Sequence, residues 1–382
     1  MAYQKFRADQ LFDGYRMRDD QSVLITNGDG TVKEIIGLAD AGDDVQYSPG
    51  IVCPGFVNCH CHLELSHMKD IIPRETGLVQ FVTQVMKDRH YPEHKILEAI
   101  DEAESEMLRN GIVAVGDICN NDLTLAQKSK ARLWYHNFIE VAGFDPKIAD
   151  LRFDKSKELV EAFASNQRAS MVPHAPYSVS FELLSKIIHL PGNGLLTMHN
   201  QETPAENELF LEKTGDFLDF YEQFKIETEF FNSTGKSSLQ SVIDRFLPGQ
   251  QVILVHNVFT SEEDILFVKN KDHITPFWCL CPGANLYISG KLPNIELFIN
   301  NDCMIVLGTD SLASNDKLSI LSEMKTILQH FPFTKMENLF QWATLNGARA
   351  LQMDELLGSF EPGKKPGVVL CAEDLERVQR LI

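Results

Sequence analysis

The chain has 382 residues, 44% hydrophobic and 23% charged, an ordinary composition for a soluble globular protein. Its formal net charge of −19 repels nucleic acid and anionic membranes over most of the surface, which excludes both as general partners. No stretch approaches the roughly 18 apolar residues of a membrane span.

The opening segment, Met1 to Arg7, lacks the apolar centre of a secretory signal, so a cytoplasmic location is expected. The eight cysteines are scattered, several within apolar runs, and are expected to be reduced and buried. The one-residue spacings in Cys59-His60-Cys61-His62 and Cys279-Leu280-Cys281 do not match a structural zinc knuckle.

Up to Val52 the chain reads as short β elements. Ser22–Ile25 and Val32–Ile36 flank Asn27-Gly28-Asp29-Gly30, a strong hairpin signal. Similar material returns near the C-terminus, where Gly363–Gly367 leads into Val368-Val369-Leu370. A small β-sandwich domain built from residues 1–52 and 358–382 is expected, with a larger domain, 53–357, between them. That middle region alternates apolar runs with amphipathic stretches. Candidate strands are Gly111–Asp117, Trp134–Val141, Ala169–Pro173, Leu195–His199, Gln251–His256, Thr275–Cys281 and Met304–Gly308. Between them lie helical patterns such as Glu93–Arg109, Asp154–Ser165 and Ser261–Val268. Alternation of this length predicts an α/β fold of parallel units, a (β/α)8 TIM-type barrel. Residues 204–247 are long for a simple crossover and read as a mostly helical insertion near the barrel mouth.

Histidines and acids recur where these strands end. His60 and His62 follow the apolar run Ile51–Val57; His174, His199, His256 and Asp310 each close a later one. In a barrel those ends converge on one mouth. His60 and His62 share one side of an extended segment and can chelate one ion, and His199 with Asp310 would complete a nitrogen–oxygen site with an open position. Each has a blander reading. A lone strand-end histidine is commonly just hydrogen-bonded, His-x-His arises by alternation, and Asp310 would serve as a helix N-cap. Five strand ends carrying such donors together argue for a site.

The run Pro54-Gly55-Phe56-Val57-Asn58-Cys59-His60-Cys61-His62 resembles the first-strand signature of the amidohydrolase superfamily. Four further segments are similar to its branch of cytosine, guanine and adenosyl-type deaminases and chlorohydrolases. These are Pro173–Ser178, His199-Asn200-Gln201-Glu202, His256-Asn257 and Leu307–Ser311. The resemblance extends from Gly55 to about Gly363. It implies that His60, His62, His199 and Asp310 hold one divalent metal ion, with zinc ahead of iron or manganese. Two-metal relatives carry a carboxylated lysine on the fourth strand, and Ala169–His174 contains no lysine. It further implies that His256 orients the attacking water, that Glu202 shuttles protons, and that His174 and Ser311 face the substrate. Glu64 has two readings left open: an acceptor for a ribose or ring amine, or an acid favouring a helix start. The loop Cys281-Pro282-Gly283-Ala284-Asn285 departs from the branch by placing Gly-Ala where a polar pair is usual. Lys365-Pro366-Gly367 departs from the usual Lys-x-Ala-Asp.

A bound metal ion lowers the pKa of water from about 15.7 to about 7, which supplies hydroxide at neutral pH. With Asp310 accepting the water proton and Glu202 protonating a ring nitrogen, such a site is suited to displacing ammonia from an aminated ring. The expected substrate is a small molecule. Since His62-Leu63-Glu64-Leu65-Ser66 is similar to aminofutalosine and adenosine-type deaminases, a 6-aminopurine nucleoside leads. The alternatives are a chlorohydrolase or cyclic-amide hydrolase on the same site, and a non-catalytic scaffold. A homodimer is implied by family similarity. Specificity is expected in the loops Ser66–Gly77 and Pro204–Leu247, and Phe81, Trp134, Phe144 and Trp278 are candidates either for base stacking or for the core.

Overall fold

A computed structural model describes residues 3–165 and 167–382. Met1 and Ala2 of the expected terminal β region lie outside them. The chain opens with the strands Tyr3–Phe12, Met17–Arg18, Ser22–Asn27, Val32–Gly37 and Gln46–Pro54. Val368–Cys371 and Val378–Arg380 join these from the far end of the chain in one seven-stranded sheet. Ser22–Asn27 and Val32–Gly37 pair antiparallel across the Asn27–Gly30 turn. The late strand pairs with Gln46–Pro54, placing Val369 opposite Cys53 and Cys371 opposite Ile51. Where the sequence suggests a sandwich, the terminal strands follow a single ladder order.

The apolar run Ile51–Val57 reads as one strand but breaks at Gly55. Gln46–Pro54 stays in the terminal sheet, while Phe56–Cys61 begins the parallel region. A Cβ at residue 55 would lie 2.2 Å from Val113 Cγ1 and 2.7 Å from the Pro366 carbonyl oxygen. Only glycine lets the chain cross there.

From Phe56 onward, strands and helices alternate. One parallel sheet contains Phe56–Cys61, Ile112–Cys119, Trp134–Val141 and Arg168–Pro173. The other contains Leu195–Asn200, Gln251–His256, Thr275–Leu280 and Ile305–Leu307. Every residue of Ile112–Cys119 is buried, as expected of a parallel strand covered on both faces. No unbroken ladder runs through all eight strands among the described residues. At one seam the His199 amide donates to the His174 carbonyl at 2.9 Å; at the other, the amides of Thr309 and Asp310 both donate to the His60 carbonyl at 3.0 Å. The second seam is short because Ile305–Leu307 spans only 3 residues, and its contacts to His60 come from beyond its end.

Helix Glu93–Arg109 occupies the stretch its pattern predicts. Ala149–Ala164 starts earlier than Asp154, because Asp145 accepts the Lys147 amide at 2.9 Å and Pro146 opens a helical turn directly ahead of it. Ser261 and Asp264 form a reciprocal cap for Glu262–Lys269. Residues 204–247 contain the helices Pro204–Glu212, Asp216–Gln223 and Ser238–Ile243 with loops between them. Phe210, Phe217 and Tyr221 from this region pack with Phe144 and Tyr177 in a cluster apart from the main core. All eight cysteines are free thiols, and all but Cys303 are buried. Among the described residues no helix is long and apolar enough to cross a membrane.

Candidate active site

The C-terminal ends of the parallel strands gather the histidines and acids singled out above. His60 is the penultimate residue of its strand and His62 follows the end of it. Strand alternation sends both side chains the same way, and their Nε2 atoms lie 3.2 Å apart. Asp310 reaches them across the seam, its Oδ1 3.6 Å from His60 Nε2 and 3.3 Å from His62 Nε2. Two ligand atoms each ~2.1 Å from a tetrahedral ion stand ~3.4 Å apart, so the three spacings fit a single small cation. The His199 ring centre lies 4.8 Å from that of His60 and 5.4 Å from that of His62. Its Nδ1 donates to the His174 carbonyl at 2.8 Å, which leaves Nε2 with a free lone pair. Glu140, a residue no motif flags, places Oε1 3.5 Å from the same Nδ1.

Burial sets the charge states. It pushes His62 well below the usual histidine range, and it brings His199 and His174 down to about 4, aided by the neighbouring imidazoles. These rings are therefore neutral at physiological pH, the form that ligates. Burial alone would raise Asp310, but His60, His62 and His256 outweigh it and hold the carboxyl well below the ordinary range.

The turns that present these groups are conformationally costly. Gln201, His256, Asn257 and Asp310 are non-glycine residues at φ of 46°, 76°, 59° and 56°. Left-handed backbone of this kind concentrates where surrounding structure enforces it. Glu202 follows Gln201 and is 4% exposed. Its Oε2 lies 3.6 Å from His256 Nε2, and its Oε1 is buried without a hydrogen-bond partner. Burial first, then the negative charges of Asp310 and Glu206, raise its pKa well above the usual carboxylate value. The Asn285 amide nitrogen donates to His256 Nδ1 at 3.0 Å, leaving the His256 proton on Nε2, which faces Glu202.

The remaining expected residues separate. His174 turns its Nδ1 to the Ser178 hydroxyl at 2.7 Å and borders the cavity, as does Ser311. Glu64 is already engaged: Oε1 accepts from Arg89 at 3.0 Å and Oε2 from the Asn120 amide at 3.0 Å. Burial nevertheless lifts it to about 7. The cavity measures about 1010 Å³ and runs outward from His62, Glu202 and Asp310. Phe81 and Phe144 border it, whereas Trp134 is 54% exposed to solvent and Trp278 is buried against Phe298. Arg89, like Glu140, lies outside any sequence motif, and Asn285 closes the Cys281–Asn285 segment without a signal that links it to His256; each role is recognisable only once the fold brings the residue to its partner.

Comparison with known proteins follows this geometry. An adenosine deaminase of Helicobacter pylori is 28% identical over 326 residues, covering 84% of this chain and 78% of the relative. The solved aminofutalosine deaminase of Helicobacter pylori, in complex with methylthio-coformycin, superposes with a TM-score of 0.83 at 23% identity, covering 97% and 92% of the two chains. An adenosine deaminase structure from Xanthomonas campestris with bound zinc gives a TM-score of 0.75 at 19% identity, covering 98% of this chain and 85% of that one. The structural likenesses establish an α/β fold with parallel sheets. The sequence model of the amidohydrolase family matches residues 51–380, and the chain belongs to that family.

Proposed function

We propose that the protein hydrolyses the exocyclic C–N bond of a 6-aminopurine nucleoside and releases ammonia. The observation that carries this reading is Glu202: a buried carboxyl with one unpartnered oxygen, set against His256 and near Asp310, its pKa raised by burial. Deamination needs an acid for a ring nitrogen that is itself weakly basic, and a carboxyl whose environment favours its protonated form meets that need.

We assign His60, His62, His199 and Asp310 as ligands of one divalent ion, zinc ahead of iron or manganese. Three imidazoles and a carboxylate gathered in this way suit such an ion. Bound there, the ion supplies the Lewis acidity that makes water nucleophilic at neutral pH. Asp310 accepts the proton of the attacking water, and the Nε2–H of His256 orients it. Glu202 protonates the purine N1 as carbon 6 is attacked, the proton held by Asp310 goes to the departing amino group, and the proton of the new C6 hydroxyl returns to Glu202 as the carbonyl forms. His174 and Ser311 border the substrate. Glu64 positions Arg89, whose other guanidinium N–H groups remain for substrate acceptors.

The two parallel sheets are read as halves of an eight-stranded barrel, supported by the hydrogen bonds at both seams. In this reading residues 53–357 form the catalytic domain, with a helical insertion at 204–247, and 1–52 with 358–382 form the small β domain. The deaminase activities named for the relatives support the choice of reaction, and the cavity has room for a nucleoside.

The test is ammonia release by the metal-loaded protein against adenosine, 5'-deoxyadenosine, guanine, cytosine and amino- and chloro-triazines. Turnover of 6-aminopurine nucleosides is expected, with loss of about 10²–10⁴-fold in kcat for Glu202→Gln. Chloride release from the chloro-triazine, with silence on every aminated ring, would overturn the reading.

A further inference from the structure

The mechanism leaves unexplained a second carboxylate buried next to the proton donor. Glu206 has 0% exposure, and its two oxygens both point back along the chain: Oε1 accepts the Glu202 amide at 2.7 Å and Oε2 the Gln201 amide at 3.0 Å. We propose that Glu206 is a positioning residue that clamps the backbone of Gln201 and Glu202 and so fixes where the Glu202 carboxyl points. The proposal rests on the reading of Glu202 as proton donor.

Three observations carry it. Gln201 is a non-glycine residue at φ 46°, a conformation costing about 1–3 kcal/mol that neighbouring structure must sustain. Glu206 is the third residue of helix Pro204–Glu212, where an acid ordinarily reaches back to the cap; besides the Thr203 cap amide it takes the amides one and two residues ahead of it. Gln201 is anchored a second time from the other side, since its Nε2 donates to Asp264 Oδ2 at 2.9 Å.

The Glu202 side chain, by contrast, has almost nothing of its own. Oε1 has no hydrogen-bond partner and Oε2 is 3.6 Å from the His256 ring. Its aim is therefore set by its backbone, which Glu206 holds. A carboxylate suits the task because both of its oxygens accept. Glutamine offers one acceptor and turns an NH₂ toward the other amide, so it keeps at most one of the two bonds.

Four full-length proteins decide the matter: wild type, Glu202→Gln, Glu206→Gln and the double variant. Each is assayed with the fastest 6-aminopurine nucleoside of the panel above, with metal content and melting temperature measured alongside. Glu206→Gln is expected to lower kcat by about 10–100-fold while KM stays within about threefold, with metal content unchanged. In the Glu202→Gln background it should add nothing, since it acts through the residue already removed. Hydrogen exchange of the segment spanning residues 200–206 should speed up in Glu206→Gln, a readout that needs no turnover. Wild-type kcat and unchanged exchange in Glu206→Gln would overturn the clamp, and so would an undiminished further loss on top of Glu202→Gln. A fully active Glu202→Gln protein would instead sink the donor reading, while the exchange data still decide the clamp.

Discussion

Ser314 donates its hydroxyl to Oδ2 of Asp310 at 2.6 Å, so that this carboxylate presents only Oδ1 to His60 and His62. A ligand oxygen is as good as its orientation, and the serine holds it. Ser314→Ala is expected to weaken divalent metal affinity by about 10–100-fold, the usual effect of losing a group that orients a ligand. Competition against a chromophoric chelator measures this, and an affinity equal to wild type would show that the carboxylate needs no such hold.

Removing the metal with a strong chelator should abolish ammonia release, and returning zinc, iron or manganese should restore it to differing degrees. Elemental analysis of the active protein is expected to find one ion per chain. Two ions per chain, both required for activity, would contradict the single-site assignment.

Lys128 and Asp117 form an ion pair at 2.5 Å with both side chains fully buried. Burial alone would lower the Lys128 pKa, yet Asp117 and Cys119 more than reverse this and it stays charged. The other Asp117 oxygen accepts the Leu63 amide at 2.8 Å, tying the second parallel strand to the segment just after His62. Lys128→Met leaves the carboxylate buried without its partner and is expected to cost about 3–5 kcal/mol. Lys128→Met with Asp117→Asn should recover most of that loss. Thermal unfolding of the three proteins tests the order.

Glu323 joins the start of helix Pro282–Ser289 to the segment after Asp310, accepting from the Gly283 amide at 2.7 Å and from Asn315 Nδ2 at 2.9 Å. Burial raises it from 4.5 to about 7 although both donors pull it down. The unfolded chain ionises this carboxyl near 4.5, whereas the folded chain resists until about 7. Its contribution therefore favours folding at low pH and is lost as pH rises through that window, by about 3 kcal/mol in all. Relative to Glu323→Gln, the melting temperature of the wild type should fall between pH 5 and pH 8. A parallel pH dependence in the two proteins would refute the assignment.

The sequence speaks clearly where physics is local. Gln251–His256 coincides with its apolar run, because strands covered on both faces need continuous apolar side chains. The switch at Gly55 is hidden inside such a run, since its cause, Val113 and the Pro366 carbonyl, is remote in sequence. In the site, His60, His62, His199, His256 and Asp310 stand out by recurring at strand ends. Their supporting partners do not: Asn285 lies 29 residues from His256 and Arg89 lies 25 from Glu64, with no spacing rule to link them. Two had a local signal. Ser314 sits four residues after Asp310, and Glu206 occupies the third position of a helix, where acids habitually bond upstream amides.

The pairing of Val368–Cys371 with Ile51–Pro54 has a bearing on synthesis. Cys53 and Cys371, whose sulfurs face each other at 4.0 Å, are separated by 318 residues. At a ribosomal pace of about 5–20 residues per second, one edge of the Gln46–Pro54 strand stays bare for roughly 15–60 s before its neighbour emerges. Bare strand edges recruit other chains, and the strand carries its own guards, Pro49 without an N–H and Gly50 at φ 121°. Those guards cover only its first half. The apolar Ile51-Val52-Cys53 half has no such guard and stays open until the last segment of the chain is made.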